Sequence, residues 1–165
     1  MTIIENPKVY VGMQLERRQE GLFIHEENFA NKTLAKYNRP VFKVMKTPLA
    51  PSSTGDKKET KDANFKYSKA VGNLLYFSSR TRPVLSFAVN FENRSVENLE
   101  RQDIVNTKRI FRYIQGIKKM GILYSKEENQ DSCLTAYVDS DFAGCTTCRR
   151  RTTGFAIMFN ALLIA

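Results

Sequence analysis

The stretch Arg101-Gln-Asp-Ile-Val-Asn-Thr-Lys-Arg-Ile-Phe-Arg-Tyr-Ile-Gln115 largely determines the fold, because its residue types recur with the period of an α-helix. One arc of this helix carries the side chains that we expect in the core: Ile104, Thr107, Ile110, Phe111 and Ile114. A second arc carries positive charge: Arg101, Lys108 and Arg112, with Arg109 at its edge. This division predicts one packed face and one solvated face. Gly116 follows as a candidate helix cap.

Three further helices are predicted on the N-terminal side of this stretch. One runs from Glu26 to Tyr37, and a second has a single apolar face formed by Tyr67, Ala70, Val71, Leu74 and Ser78, with Leu75 beside it. The third is shorter and runs from Val84 to about Glu92, with Pro83 in its first turn. A helical middle region is therefore expected.

Segments with a period of two lie at both ends of the chain. Residues 9–16 alternate apolar and polar side chains, and Leu22–His25 returns after a polar turn, which together predict a β-hairpin. Further strands are predicted at residues 121–124, 134–139 and 153–159, and the last of these reads as a central strand because it is apolar throughout. The sequence thus predicts an α+β fold.

Composition narrows the functional class. The 165 residues include 26 Lys and Arg against 17 Asp and Glu, a net charge of +9 that favours contact with polyanions such as nucleic acid, although it serves solubility equally well. A hydrophobic content of 42% excludes a fully disordered chain. No apolar run is long enough for a membrane span, and the N-terminus lacks a signal-peptide pattern, so we expect an intracellular protein, cytoplasmic or nuclear, with no membrane contact.

The three cysteines do not form a convincing metal site. Cys145 and Cys148 have C-x-x-C spacing, but zinc requires two more ligands and the other candidates, Cys133 and His25, are distant in sequence. Free thiols in a reducing compartment are the preferred interpretation.

Seven blocks of the sequence resemble, in the same order, blocks of the copia-type retrotransposon Pol polyproteins. They are Tyr10–Arg17, Lys46–Leu49, Tyr67–Tyr76, Thr81–Pro83 with Phe87–Val89, Lys108–Gly116, Tyr137–Gly144 and Arg150–Phe155. The resemblance covers about residues 9–159. It implies a piece that runs from the end of a reverse transcriptase into the start of a ribonuclease H domain. Its parts would be a β-hairpin, a helical thumb- or connection-like middle and an incomplete ribonuclease H-like sheet.

The same resemblance divides the chain into four parts. Residues 1–46 would be the end of the reverse transcriptase, 47–64 a linker, 65–119 the thumb- or connection-like helices and 120–165 the truncated start of ribonuclease H. The linker also stands out by itself, because its residues are rich in turn formers and charge. The apolar C-terminus, residues 161–165, suggests a truncated sheet that associates with a partner strand or a second copy.

Candidate site residues follow from the matched blocks. The N-terminal hairpin is similar to a primer grip, which makes Gly12 and Met13 candidate nucleic-acid contacts; an edge hairpin with a glycine bulge is the alternative. Arg101, Lys108, Arg109 and Arg112, with Lys118 and Lys119 beyond them, would follow the backbone of an RNA–DNA hybrid, or would simply form a solvated face.

Asp139 matches the first metal-binding carboxylate of ribonuclease H, and Asp141 is a secondary candidate. Ribonuclease H chemistry uses two Mg²⁺ ions held by clustered carboxylates. The resemblance places the other carboxylates after residue 165 and the polymerase Y-V-D-D motif before residue 1. We therefore expect Mg²⁺ to serve the parent enzyme but not to bind this chain tightly, and we expect the isolated chain to be inactive. A basic module that binds RNA or DNA and an interaction protein remain as alternatives.

Overall fold

A computed structural model describes residues 5–37, 43–50, 65–126, 133–141, 152–160 and 162–164. The chain divides into two compact units, which we describe separately. The first unit comprises Met1–Arg17 and Phe23–Leu123, and the second comprises Arg18–Leu22 and Tyr124–Ala165. Helices and antiparallel strands are both present, so the predicted α+β class is confirmed.

Four helices form the core of the first unit: α1 (Glu27–Tyr37), α2 (Tyr67–Arg80), α3 (Ser86–Asn93) and α4 (Arg101–Ile117). A short 3-10 turn, Pro83–Leu85, precedes α3 where the sequence predicts the start of a helix. The apolar arcs predicted for α2 and α4 are confirmed, because their buried residues include Leu74, Phe111 and Ile114. Phe77 is also fully buried, although the periodicity did not single it out.

Helix α4 begins with a capping box. The Glu100 side chain accepts a hydrogen bond from the backbone of Asp103, and Asp103 Oδ2 accepts one from Glu100 N at 2.7 Å. The prediction that Gly116 caps the other end is wrong, since the helix continues to Ile117. A Cβ at Gly116 would lie 2.6 Å from the Val44 side chain, so this glycine instead allows Val44 to pack closely on α4.

The predicted N-terminal hairpin is confirmed in its later part, where residues 13–17 and 21–25 form neighbouring strands, whereas the segment before residue 13 differs. The N-terminal strands are β1 (Val9–Tyr10), β2 (Met13–Arg17) and β3 (Gly21–His25), and a later strand, β4 (Gly121–Ser125), completes a sheet in the order β1-β2-β3-β4. The single strand predicted over residues 9–16 is wrong, because a two-residue turn divides it. Strand β4 lies within residues 120–165, the predicted start of ribonuclease H, but its neighbour in the sheet is β3.

The second unit contains an antiparallel sheet of β5 (Leu134–Asp141), β6 (Thr152–Phe159) and β7 (Leu162–Leu163). Strand β6 lies between the other two, so its predicted central place is confirmed. Alternation and register put one set of apolar side chains on a single face, with Val138 opposite Phe155 and Leu134 opposite Phe159. All four are exposed, Val138 by 72% of its surface. We call this the open sheet face.

A buried charged cluster lies in the first unit between β3, α2 and the end of α4. Arg82 is only 1% exposed, and its Nη2 donates a hydrogen bond to the Lys118 carbonyl at 2.9 Å while Nη1 donates to Thr81 Oγ1 at 3.1 Å. Thr81 Oγ1 in turn donates to Glu26 Oε2 at 2.6 Å. Burial raises the pKa of Glu26, opposed by the Thr81 hydrogen bond and by the charge of Arg82. The cluster thus links three elements through charge-assisted bonds.

A second buried carboxylate, Glu92 on α3, faces α2 and α4. The Tyr67 hydroxyl lies 2.7 Å from the Glu92 carbonyl and 3.1 Å from Glu92 Oε2. Burial and the neighbouring Asp103 carboxylate raise the pKa of Glu92 to about 7, although hydrogen bonds from Asn106 and Tyr67 oppose the rise. Glu92 therefore changes charge near neutral pH in the folded protein.

Candidate nucleic-acid interface

The tip of the β1–β2 hairpin is a two-residue turn. Val9 pairs with Gln14 and Tyr10 with Met13, which leaves Val11 and Gly12 as the turn residues. Both have positive φ, 47° and 83° respectively, as in the tight hairpin turns that match the twist of antiparallel strands. Gly12 adopts this conformation without strain, whereas a β-branched residue such as Val11 rarely does. The tip must therefore be stabilised from outside.

Tyr76 on α2 provides that stabilisation. Its hydroxyl donates a hydrogen bond to the Val11 carbonyl at 2.7 Å, and a Cβ on Gly12 would lie 2.6 Å from the same hydroxyl. The Tyr76 ring packs against Phe29, with a centroid distance of 4.8 Å, and Arg80 lies over it at 5.6 Å. Tyr76 closes the matched block Tyr67–Tyr76, and that terminal aromatic residue was the sequence signal available for this role.

The hairpin tip presents apolar side chains to solvent. Three residues at the tip are each more than half exposed: Val9, Val11 and Tyr10, the last by 61%. Gly12, which has no side chain, is exposed as well. Met13, the second predicted contact of the hairpin, is half-buried at the start of β2. The predicted contacts Gly12 and Met13 thus lie at the hairpin tip, and Tyr10, which pairs with Met13, lies there as well.

Two arginines of α4, Arg109 and Arg112, form hydrogen bonds with the segment that precedes residue 50. Arg109 donates hydrogen bonds from Nε to the Thr47 carbonyl at 3.2 Å and from Nη2 to Thr47 Oγ1 at 2.9 Å. Arg112 Nε donates to the Lys43 carbonyl at 2.9 Å, and Met45 N donates to the Arg112 carbonyl at 3.4 Å. These bonds tie residues 43–47 to α4. Thr47, the first residue of the predicted linker, thus contacts α4, and residues 51–64 lie outside the described part of the chain.

The remaining basic residues of the predicted stripe lie along the same helix. Arg101 is exposed at the first turn, and Lys108 is half-buried with its Nζ 5.7 Å from the centre of the Phe65 ring. Lys118 is half-buried and Lys119 is exposed just after α4 ends. The stripe thus extends along the full length of the helix. Arginine has five donor hydrogens, and Arg109 uses two of them in the hydrogen bonds to Thr47 given above.

The two candidate metal ligands lie on β5. Asp139 is exposed and pairs with Gly154, while Asp141 pairs with Thr152. Within the described residues, no three His, Cys, Asp or Glu side chains come close enough together to hold a metal ion. Cys133 is an exposed free thiol, and Cys145 and Cys148 lie outside the described residues. Each described helix is too short or too polar to cross a bilayer.

Comparison with known proteins gives several relatives. An uncharacterized mitochondrial protein of Arabidopsis thaliana is 32% identical over 159 residues, which cover 94% of this chain and 64% of the relative. The retrovirus-related Pol polyprotein from transposon TNT 1-94 of Nicotiana tabacum is 31% identical over 91% of this chain and 12% of its own length. The Pol polyprotein from transposon RE1 of Arabidopsis thaliana is 30% identical over 90% of this chain and 10% of its own length.

No family model matches the chain, and no solved structure matches it. The alignments to the transposon polyproteins nevertheless extend over about nine-tenths of the sequence, although the chain spans only about a tenth of their length. This agrees with the family that the ordered blocks of the sequence predict. The chain belongs to the family of the retrovirus-related Pol polyproteins of transposons.

Proposed function

We propose that the chain is a nucleic-acid-contacting piece of an RNA-directed DNA polymerase, reaching from its C-terminal part into the start of ribonuclease H, and that it is catalytically inactive alone. The hairpin tip carries this proposal. A turn held by the Tyr76 hydroxyl presents an exposed tyrosine, Tyr10, and an exposed glycine, Gly12, at the same tip. Exposed aromatic side chains stack on nucleobases without regard to sequence, which suits the end of a growing strand.

The charge of the chain supports the same function. A net charge of +9 and the basic stripe of α4 suit a phosphate backbone, where contacts position the nucleic acid but do not read its sequence. Arg109 serves two roles in this proposal, because two of its five donor hydrogens hold Thr47 on α4 while its positive charge suits the phosphate backbone. The preferred ligand is an RNA–DNA hybrid.

Mg²⁺ belongs to the parent enzyme in this proposal. Two-metal hydrolysis needs several carboxylates around a pair of ions about 4 Å apart. The described residues offer an exposed Asp139 on an open strand, without a cluster of further ligands around it. This set does not fit a two-metal site, so we derive no step of phosphoryl chemistry from this chain.

Binding to an RNA–DNA hybrid tests the proposal. We expect affinity, measured by fluorescence anisotropy, to fall steeply with salt, because bound cationic side chains displace counterions from the phosphates. The double substitution Arg101→Gln with Lys108→Gln leaves the Arg109 and Arg112 contacts intact. It is expected to lower the magnitude of the salt slope by about two and the affinity by roughly tenfold or more at 0.1 M salt.

The matched control is Lys32→Gln with Lys36→Gln on α1, which removes the same charge and should change the slope little. Equal losses in both double variants would show that binding follows net charge and not the α4 stripe. The same samples with Mg²⁺ are expected to show neither primer extension nor hybrid cleavage. Turnover comparable to that of an intact polymerase would overturn the claim of inactivity.

Self-association through the C-terminal sheet is a second candidate function, favoured by the open sheet face. This face carries no charged side chain among its described residues, so two copies can meet there despite the net charge of +9. We expect a concentration-dependent dimer in sedimentation velocity, weakened by Val138→Lys. The control is Tyr137→Lys, at a neighbouring position on the opposite face of β5 that is also more than half exposed. A monomer at all concentrations, or equal effects of both lysines, would exclude this interface.

A further inference from the structure

We infer that Tyr76 is a positioning residue, which fixes the hairpin tip in the conformation that meets the end of a primer strand; this inference rests on the proposed function. Val11 and Gly12 both occupy left-handed backbone conformations, and Val11 is a residue type that avoids them. The exposed tip has little packing of its own. The hydrogen bond from Tyr76 to the Val11 carbonyl therefore selects this turn from the alternatives open to a short hairpin.

Gly12 and Tyr76 are matched to each other. A side chain at Gly12 would place its Cβ 2.6 Å from the Tyr76 hydroxyl, well inside van der Waals contact, but 3.8 Å from the ring carbon that bears the hydroxyl, which is an ordinary contact distance. The absence of a side chain at Gly12 is thus what lets the hydroxyl reach the Val11 carbonyl. Glycine at the tip serves this approach as well as its own backbone conformation.

Tyr76 is held in place by the packing of helix α2 in the core of the first unit. Helix α2 is anchored by Leu74 and Phe77, both fully buried, and the Tyr76 ring rests against Phe29 of α1. The Tyr76 hydroxyl is protonated at neutral pH, as in any tyrosine, and burial with the neighbouring Glu26 carboxylate raises its pKa further. The helical core thereby sets the place of an exposed tip that is 65 residues away in sequence.

A double-mutant cycle on stability tests the match between the two residues. Tyr76→Phe removes only the hydroxyl, and Gly12→Ala adds only a methyl group in a strained conformation. The cycle measures the coupling of the two positions, which includes the clash of the methyl group with the hydroxyl and the relief of alanine's backbone strain when the bond to Val11 is lost. The steric clash between the added methyl group at position 12 and the Tyr76 hydroxyl does not cancel in the cycle. It is absent with phenylalanine, whose ring leaves room for the methyl group. We expect the double variant to exceed the stability predicted from the two single variants by about threefold or more in the unfolding equilibrium constant.

Function is tested with two hybrids of equal length, one with a recessed DNA 3′ end on an RNA template and one blunt. We expect the wild-type chain to prefer the recessed end, and Tyr76→Phe to lose that preference while the salt slope stays unchanged. Amide exchange of Gly12 and Met13 should become faster in the same variant. Tyr124→Phe is the matched control, because it removes another tyrosine hydrogen bond to a backbone carbonyl, that of Leu163 in the second unit.

The outcomes separate the two proposals. A wild-type chain that binds no hybrid, or binds both ends equally, overturns the nucleic-acid function, while exchange and the cycle still decide whether Tyr76 fixes the tip. Additive stabilities together with unchanged exchange overturn the positioning role even if the chain binds nucleic acid. An equal loss of end preference in Tyr124→Phe also overturns that role.

Discussion

Replacing Arg82 with methionine is expected to destabilise the first unit by about 3 kcal/mol or more at pH 7, the range found when one partner of a buried charged pair is removed. Methionine has a similar length but donates no hydrogen bond. The Lys118 carbonyl and Thr81 would lose their donor, and the buried Glu26 carboxylate would lose its neighbouring positive charge. Urea denaturation followed by circular dichroism measures the change.

The Arg82→Met variant should also respond to pH in a defined direction. Burial already raises the pKa of Glu26, and removal of the nearby guanidinium raises it further. A carboxylate with a raised folded-state pKa stabilises the fold at low pH and loses that contribution as pH rises. The deficit of Arg82→Met should therefore be smaller at pH 5 than at pH 7, and Glu26→Gln in the same chain should remove this difference. A deficit below about 1 kcal/mol at pH 7 would contradict the role given to Arg82.

The second large effect is a loss of stability as pH rises, caused by Glu92. Its folded-state pKa of about 7 lies above the ordinary value of 4.5. The stabilisation is therefore complete below about pH 4.5 and is lost as pH rises through 7. The difference between these pKa values corresponds to about 3 kcal/mol. Unfolding free energies measured by urea at several pH values should fall over this window.

Glu92→Gln isolates this contribution. Glutamine keeps a carbonyl oxygen for the Tyr67 hydroxyl but cannot ionise, so the variant should lose most of the pH dependence and be the more stable protein at pH 8. Glu97→Gln is the control, because Glu97 is exposed just after α3 and should leave the profile unchanged. Identical profiles for wild type and Glu92→Gln would show that this carboxylate does not control the pH response.

The helices could be predicted from the sequence because their signal is local. The buried arc of α4, with Thr107, Ile110 and Phe111, follows directly from the 3.6-residue period. The turn at Val11 and Gly12 could not be predicted this way. Alternating residues indicate a continuous strand, and a valine argues against a left-handed conformation. The bond that overrides both comes from Tyr76, far along the chain.

In the candidate site, too, the features that depend on local sequence could be predicted, and those that depend on distant residues could not. Periodicity showed that Arg109 and Arg112 share a helix side, but it could not show that residues 43–47 occupy part of that side. The sequence likewise did not predict the burial of Arg82, Glu26 and Glu92. Charged residues are usually expected at the surface, and the partners of these three lie on other elements. The block containing Thr81–Pro83 was recognised by resemblance, whereas its structural role became visible only in the fold.

The open sheet face also bears on how readily the protein aggregates. Strand β6 reads Thr-Thr-Gly-Phe-Ala-Ile-Met-Phe, eight residues without a charge or a proline, and uncharged segments of this kind stack into cross-β fibrils. Asp139, an exposed charged residue on the adjoining strand, is of the kind that opposes such stacking. Because apolar side chains of this strand are exposed on the open sheet face, β6 is an aggregation hazard for the isolated chain.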